Sequence, residues 1–274
     1  MGRLAPTPSG HLHLGNATAF AAAWLSARAV GGRVLLRFED VDRSRARIEV
    51  ERSQRDDLAW LGLNWDEEVA PQRHRDYLPW LEALGDRTYF CGCVRQQLVE
   101  AAGGGCPGRC RDRGLTAGSV RFALRAGDAL YRDRARGIVR GDPGTFQDPI
   151  LRRRDGCFTY NLAVVADDVA DGVTEVARGA DLAEYTLAQI QLWQAFGATP
   201  PTWLHAPLIL GDDGRKLSKS HGSTEIRAMR AAGVTRSEIA ARVLAWLGVE
   251  GDDFARAITS FRAEQIPTGP FVAR

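Results

Sequence analysis

The first sixteen residues, Met1-Gly-Arg-Leu-Ala-Pro-Thr-Pro-Ser-Gly-His-Leu-His-Leu-Gly-Asn16, constrain the fold more than any other stretch of the chain. A short apolar start, Arg3-Leu4-Ala5, meets Pro6 and Pro8, which cannot donate backbone hydrogen bonds and hold the chain extended. Ser9-Gly10 supplies a tight turn, and the Ala-rich run from Ala17 to Val30 has the composition of a good helix former. Strand, turn and helix in that order aim backbone N–H groups and the positive end of a helix at a phosphate. Two imidazoles, His11 and His13, lie in the turn. The Ala-rich run could also pass for the apolar core of a signal peptide. Only Arg3 precedes it, however, and Pro, His and Asn crowd the stretch between, so that reading is set aside.

Further along, strand and helix patterns alternate, which predicts an α/β fold with a doubly wound parallel sheet. Residues 33–38 read as a buried strand leading into Glu39-Asp40-Val41-Asp42, acidic groups at a strand's C-terminal end, where open α/β sheets place their ligands. Helices are expected over 48–61, 77–84 and 182–196, and strands over 119–125, 172–177 and 203–210. Residues 157–166 read as a buried strand of the parallel sheet, with Cys157 a small buried hydrophobe. The loop from Gly211 to Ser220 is polar and glycine-bearing, as a mobile active-site loop would be. Two helical patterns follow it, the second opened by a capping box at Thr235 and Glu238.

Net charge is only +2, so overall charge does not announce a nucleic-acid binder, but its distribution is uneven. Residues 109–154 hold twelve arginines against five aspartates and no glutamate, a local excess of +7 that suits either phosphates or a solvated surface. Lysine use is stranger. Of 36 basic residues only Lys216 and Lys219 are lysine, both in Lys216-Leu-Ser-Lys-Ser220. Arginine and lysine differ in shape, hydration and flexibility, so this one spot needs compact, mobile ammonium groups. Four of the five cysteines, Cys91, Cys93, Cys106 and Cys110, fall within 20 positions. Nothing marks the chain as secreted, so they are expected to be reduced, either as a tetrahedral zinc site or as free or redox thiols. No stretch is apolar for long enough to span a membrane, and a cytoplasmic monomer is the default expectation.

Residues 6–16, with His11 and His13, resemble the HIGH signature of class I aminoacyl-tRNA synthetases, and Lys216-Leu-Ser-Lys-Ser220 resembles their KMSKS signature. Arg3-Leu-Ala-Pro-Thr-Pro-Ser-Gly10, Arg37-Phe-Glu-Asp-Val-Asp42, Tyr160-Asn-Leu-Ala163 and Arg178-Gly-Ala-Asp181 place the likeness in the glutamyl branch. About fifty residues follow the KMSKS-like loop, and a compact catalytic half with a cysteine cluster in its insertion is similar to the glutamyl-Q tRNA(Asp) synthetase family. The resemblance implies a class I Rossmann-like parallel sheet, an inserted zinc-containing α+β subdomain and a short helical C-terminal region. The implied boundaries are 1–88 and 151–222 for the catalytic halves, 89–150 for the insertion and 223–274 for the helical region. It implies that Arg3, Leu4, Ala5, Pro6, Thr7, Glu39, Tyr160 and Arg178 surround L-glutamate. It further implies that His11, His13, Gly15, Asn16, Lys216 and Lys219 hold ATP, with His13 and Lys219 catalytic. Mg2+ is expected with the phosphates, and Zn2+ on Cys91, Cys93, Cys106 and Cys110. At the third of these ligands family members can carry tyrosine, where this chain has Cys106. The implied reaction forms glutamyl-adenylate without tRNA and passes glutamate to queuosine in the anticodon of tRNA(Asp). Charging of tRNA(Glu), small-molecule nucleotidyl transfer on the same fold, and a non-catalytic tRNA-binding module are the alternatives.

Overall fold

The computed structural model describes residues 1–94, 106, 110–217 and 224–273. In chain order the elements are β1 (Gly2–Leu4), α1 (Leu14–Arg28), β2 (Val34–Leu36), α2 (Ile48–Leu61), β3 (Glu67–Glu68), α3 (Leu78–Ala83) and β4 (Thr88–Cys91). There follow β5 (Ser119–Phe122), β6 (Ala129–Asp133), β7 (Gly137–Gly141), β8 (Ile150–Arg152), α4 (Tyr160–Ala170), β9 (Glu175–Gly179) and α5 (Thr186–Ala195). The chain continues through β10 (Thr202–Ala206), β11 (Ile209–Leu210), α6 (Ile226–Ala231), α7 (Arg236–Trp246), α8 (Phe254–Ala257) and β12 (Phe271–Val272).

Strands β1, β2 and β3 pair in parallel, as do β9, β10 and β6, with β7 antiparallel on the outer edge of β6. The two sets adjoin at β1 and β9, where the Met1 carbonyl accepts from the Thr174 and Glu175 N–H groups. A separate antiparallel sheet, β4-β5-β8, carries the cysteine-bearing segment. The hairpin β6–β7 lies inside the stretch expected as an insertion, yet it shares a sheet with the catalytic strands.

Helix α1 explains its own alanines. Leu14, Ala17, Ala21, Ala22, Trp24 and Leu25 are all buried, so the helix packs on several sides at once and needs short side chains. Gly2 of β1 makes the same point, because a Cβ there would lie 3.2 Å from Ala27 Cβ. Ile239, Val243, Leu244 and Leu247, with Phe254 and Phe261, join the same core. The C-terminal helices are thus packed into the catalytic body rather than appended to it. The capping box forms as expected, with the Glu238 N–H donating to Thr235 Oγ1 at 3.2 Å and the Thr235 N–H donating to the Glu238 carboxylate at 2.7 Å.

Two expectations fail. Residues 157–166 are not a strand: the run becomes α4, in which Leu162 through Asp168 are all buried. Burial on every side removes the polar face that marks a helix, leaving an apolar run that reads as a strand. Cys157 is exposed, in the turn ahead of α4, and is no core residue. The arginine-rich stretch is partly neutralised by carboxylates, mostly from outside it. Arg111 pairs with Asp148, Arg134 with Glu175 and Glu264, and Arg153 with Asp42 and Asp155. Among the described residues no helix is long and apolar enough to cross a membrane.

Candidate active site

Helix α1 begins at Leu14 rather than Ala17, so the histidine motif is itself the helix start. His13 is the N-cap: the Asn16 N–H donates to His13 Nδ1 at 3.3 Å, and the His13 N–H donates to Asn16 Oδ1 at 3.2 Å. Histidine and asparagine thereby form the reciprocal box usually built from Ser or Thr and Glu. Because Nδ1 accepts, the proton of a neutral ring sits on Nε2, a donor beside the positive end of the helix. Gly15 makes room for this, since a Cβ there would stand 3.1 Å from His13 Nδ1 and Cε1. His11 Nδ1 lies 3.0 Å from Ser53 Oγ on α2. From the same helix Gln54 donates to the Thr7 and Gly10 carbonyls at 3.0 and 2.7 Å, which holds the turn in shape.

This helix start opens on a cavity of about 400 Å3 at the C-terminal ends of β1 and β9. Arg3, Ala5, Pro6, Thr7, His11, His13, Gly15, Asn16, Glu39, Tyr160, Arg178 and Lys216 all line it. Leu4 does not: its side chain is fully buried in the core behind the strand. Lys219, with Ser218 and Ser220, lies outside the described residues. The described flanks of that segment both abut the helix start, for the Ile226 N–H donates to the Leu12 carbonyl at 2.8 Å and a Cβ on Gly15 would lie 3.8 Å from Leu217 Cβ. Lys216 is paired with Asp181 on the cavity rim.

The cavity floor is strongly charged. Arg3 Nε donates to Asp168 at 3.0 Å and Nη1 to the Ala177 carbonyl at 3.1 Å, which leaves Nη2 for a ligand. Arg37, entirely buried, donates to the same Asp168 at 2.6 Å and to Asp171 at 2.8 Å. Burial pushes the Glu39 carboxyl up to about 7, although Arg37 and Arg3 pull against the shift. Arg178 uses all five N–H groups: Nε to His205 Nε2 at 3.2 Å, Nη1 to Gln189 at 2.6 Å and Tyr160 Oη at 3.4 Å, Nη2 to the Leu182 carbonyl at 3.0 Å and Thr186 at 2.8 Å. The long bond to Tyr160, another cavity residue, is the weakest of these and the one a carboxylate oxygen can replace. Cations for carboxylates and a buried anion for an ammonium are what an acidic amino acid requires.

Of the glutamate and ATP candidates named from the sequence, all the described ones except Leu4 line the cavity, but the residues that fix them were missed. Asp168, Asp133 and His205 are buried polar groups whose roles appear only in three dimensions. One signal was present: His205 interrupts an otherwise apolar strand, and an ionisable group there calls for a partner.

Apart from the cavity, Cys91, Cys93, Cys106 and Cys110 gather with all four sulfurs within 4.8 Å of one another. Cys93 Sγ stands 3.7 Å from Cys106 Sγ and 3.6 Å from Cys110 Sγ. Sulfurs about 2.3 Å from a tetrahedral centre would lie about 3.8 Å apart, so the cluster fits a zinc ion with no open coordination position.

The sequence pattern describing tRNA synthetases class I (E and Q), catalytic domain, matches residues 1–101 and 112–265. A protein of Nitratidesulfovibrio vulgaris named glutamyl-Q tRNA(Asp) synthetase is 40% identical, over 99% of this chain and 94% of that protein. The glutamate–tRNA ligase of Oleidesulfovibrio alaskensis is 42% identical over 85% of this chain, which spans only 53% of that longer protein. Among solved structures, the glutamate–tRNA synthetase of Elizabethkingia anophelis superposes with a TM-score of 0.81 at 24% identity, over 99% of this chain and 67% of that one, and so shares the fold. The expected parallel-sheet class I architecture is therefore present, and this chain belongs to the class I tRNA synthetases of the E and Q type, a family of ligases.

Proposed function

We propose that the protein activates L-glutamate with Mg–ATP, without tRNA, and transfers it to queuosine in the anticodon of tRNA(Asp) in the cytoplasm. The observation that carries the reading is the single cavity in which Arg3, Glu39, Tyr160 and Arg178 meet the His13 helix start. Likeness to relatives named glutamyl-Q tRNA(Asp) synthetase, one 40% identical over 99% of this chain and another 41% identical over 85% of it, supports the tRNA assignment. Likeness to a glutamate–tRNA ligase keeps charging of tRNA(Glu) as the second reading.

In this reading Arg178 and Tyr160 take one carboxylate, Arg3 Nη2 assists, and Glu39 takes the ammonium. The other carboxylate attacks the α-phosphorus of ATP and pyrophosphate leaves. No protein nucleophile is needed, so the chain contributes position and charge. His13 Nε2 and the N-terminus of α1 face the phosphates, and Lys219, assisted by Lys216, meets the charge that develops on the leaving group. The reading is tested by glutamate-dependent ATP–pyrophosphate exchange in the absence of tRNA. Exchange is expected with L-glutamate and not with glutamine, and a strict requirement for tRNA(Glu) would favour the second reading.

Glu39 makes the binding step proton-linked. Its carboxyl, raised to about 7 by burial, is largely protonated in the empty pocket at pH 6 and must ionise to hold an ammonium. Glutamate binding at pH 6 is therefore expected to release up to about one proton, and affinity should strengthen as pH rises toward 8. Calorimetry in buffers of different ionisation enthalpy measures the release, and Glu39→Gln should abolish it.

Zinc on the four cysteines would hold the β4-β5-β8 segment together, and a closed thiolate site has no position for catalysis. The purified protein is expected to release about one zinc per chain on thiol titration, and Cys110→Ser markedly less. Full thermal stability in a metal-free sample would contradict a structural ion.

A further inference from the structure

We propose that Asp133 and His205 are positioning residues for Arg178, forming a buried hydrogen-bond relay that fixes its guanidinium for the carboxylate of the amino acid. The inference rests on the reading of Arg178 as a glutamate ligand. The sheet itself assembles the relay. His205 on β10 lies directly across from Arg178 on β9, and Trp203 on β10 pairs with Asp133 on β6, so three strands place the three side chains in line. Asp133 and His205 are 1% and 0% exposed, which removes water as a substitute partner.

Proton positions follow from the partners. A guanidinium can only donate, so His205 Nε2, 3.2 Å from Arg178 Nε, must accept. The imidazole is then neutral with its proton on Nδ1, which faces Asp133 Oδ2 at hydrogen-bonding distance. Asp133 cannot turn away, because its Oδ1 accepts from the Ala135 and Arg136 N–H groups at 2.9 and 3.1 Å in the turn that follows β6. Thr186 Oγ1 on α5, 3.3 Å from His205 Nε2, can also donate there while accepting from Arg178 Nη2. Burial lowers the His205 pKa against the pull of Asp133, and Arg178 and Arg136 add to the lowering, all in keeping with a neutral ring. The ring of Trp203 covers the guanidinium at 4.7 Å. With Nε, Nη2 and one Nη1 proton held by buried partners, the remaining Nη1 proton points along the Tyr160 side, where the cavity lies.

The relay depends on a tautomer, and that distinguishes positioning from mere packing. In Asp133→Asn the amide oxygen remains on the Ala135 and Arg136 N–H groups, so the NH2 faces His205 Nδ1. The imidazole must then carry its proton on Nε2, aimed at the Arg178 N–H. Glutamate Kd, measured by calorimetry on the full chain, should weaken by roughly tenfold or more, the scale of one charged hydrogen bond, while ATP binding stays within about twofold. His205→Gln can place its Oε1 where Nε2 stood and should retain most of the affinity; His205→Asn is too short to reach Arg178 and should lose it. That pair decides the matter even if Asp133→Asn fails to fold. Nitrogen NMR of the wild-type imidazole should show an Nδ1–H tautomer for His205. Arg178→Ala serves as the reference. If it leaves glutamate binding intact, the glutamate reading is wrong. If it weakens binding while His205→Asn and Asp133→Asn behave as wild type, or if His205 is an Nε2–H tautomer or a cation, the relay is overturned and the reading stands.

Discussion

Replacing Asp168 by asparagine is expected to destabilise the protein by about 3–5 kcal/mol, the cost of stranding buried charge when one ion-pair partner is removed. Asp168 takes Arg3 at 3.0 Å and Arg37 at 2.6 Å, and all three side chains are 4% exposed or less. Arg37 keeps Asp171 at 2.8 Å, but among the described residues Arg3 has no other carboxylate at salt-bridge distance. Burial opposes ionisation of Asp168, yet the two guanidiniums more than offset it and hold the carboxyl below its ordinary range. A depressed folded-state pKa contributes stability that is complete above the unfolded value of about 3.9 and is lost as pH falls through the folded value. Urea unfolding at pH 7 should show the full difference between wild type and Asp168→Asn, and the gap should narrow below pH 4. Equal midpoints at pH 7 would show that the pair is not what holds β1 to α4. The same substitution frees Arg3 beside the cavity, so glutamate binding should weaken along with stability.

The second large effect concerns Lys219, one of two lysines among 36 basic residues. Lys219→Ala is expected to lower glutamate-dependent ATP–pyrophosphate exchange by about 10^2–10^3-fold, the scale of removing one group aimed at developing charge. Lys216→Ala should have a smaller effect, because Lys216 already pairs with Asp181. In a chain that otherwise writes arginine, Lys219→Arg is the sharper variant. If a compact mobile ammonium is what the site needs, arginine should restore little of the activity. Thermal unfolding should be nearly unchanged in each case, since a side chain in a polar loop contributes little to the folded state. Wild-type exchange rates in both variants would remove Lys219 from the mechanism.

Legibility in the sequence followed the range of the interactions. Helix α2 reads true over 48–61 because charges on one side and Val50, Leu58 and Leu61 on the other give it a visible period. The Thr235 and Glu238 cap reads true because it is a contact between residues three apart. The cavity was legible through short linear motifs, each placed at the end of a strand or the start of a helix. Helix α4 was not, because its buried run from Leu162 to Ala166 holds no polar residue to mark a helical turn, and Cys157 went wrong with it. The relay behind Arg178 was not legible either. Asp133 and His205 are 72 residues apart, and in the sequence Asp133 is only one acid within an arginine-rich stretch. Motifs reveal the groups that touch a ligand, whereas the groups that orient them depend on strand order.

Transfer of radiolabelled glutamate from the preformed adenylate to purified tRNA tests the central claim most directly. Label is expected on tRNA(Asp) that carries queuosine, and neither on tRNA(Asp) with unmodified guanosine at that position nor on tRNA(Glu). Label on tRNA(Glu), with queuosine-bearing tRNA(Asp) left blank, would contradict the account.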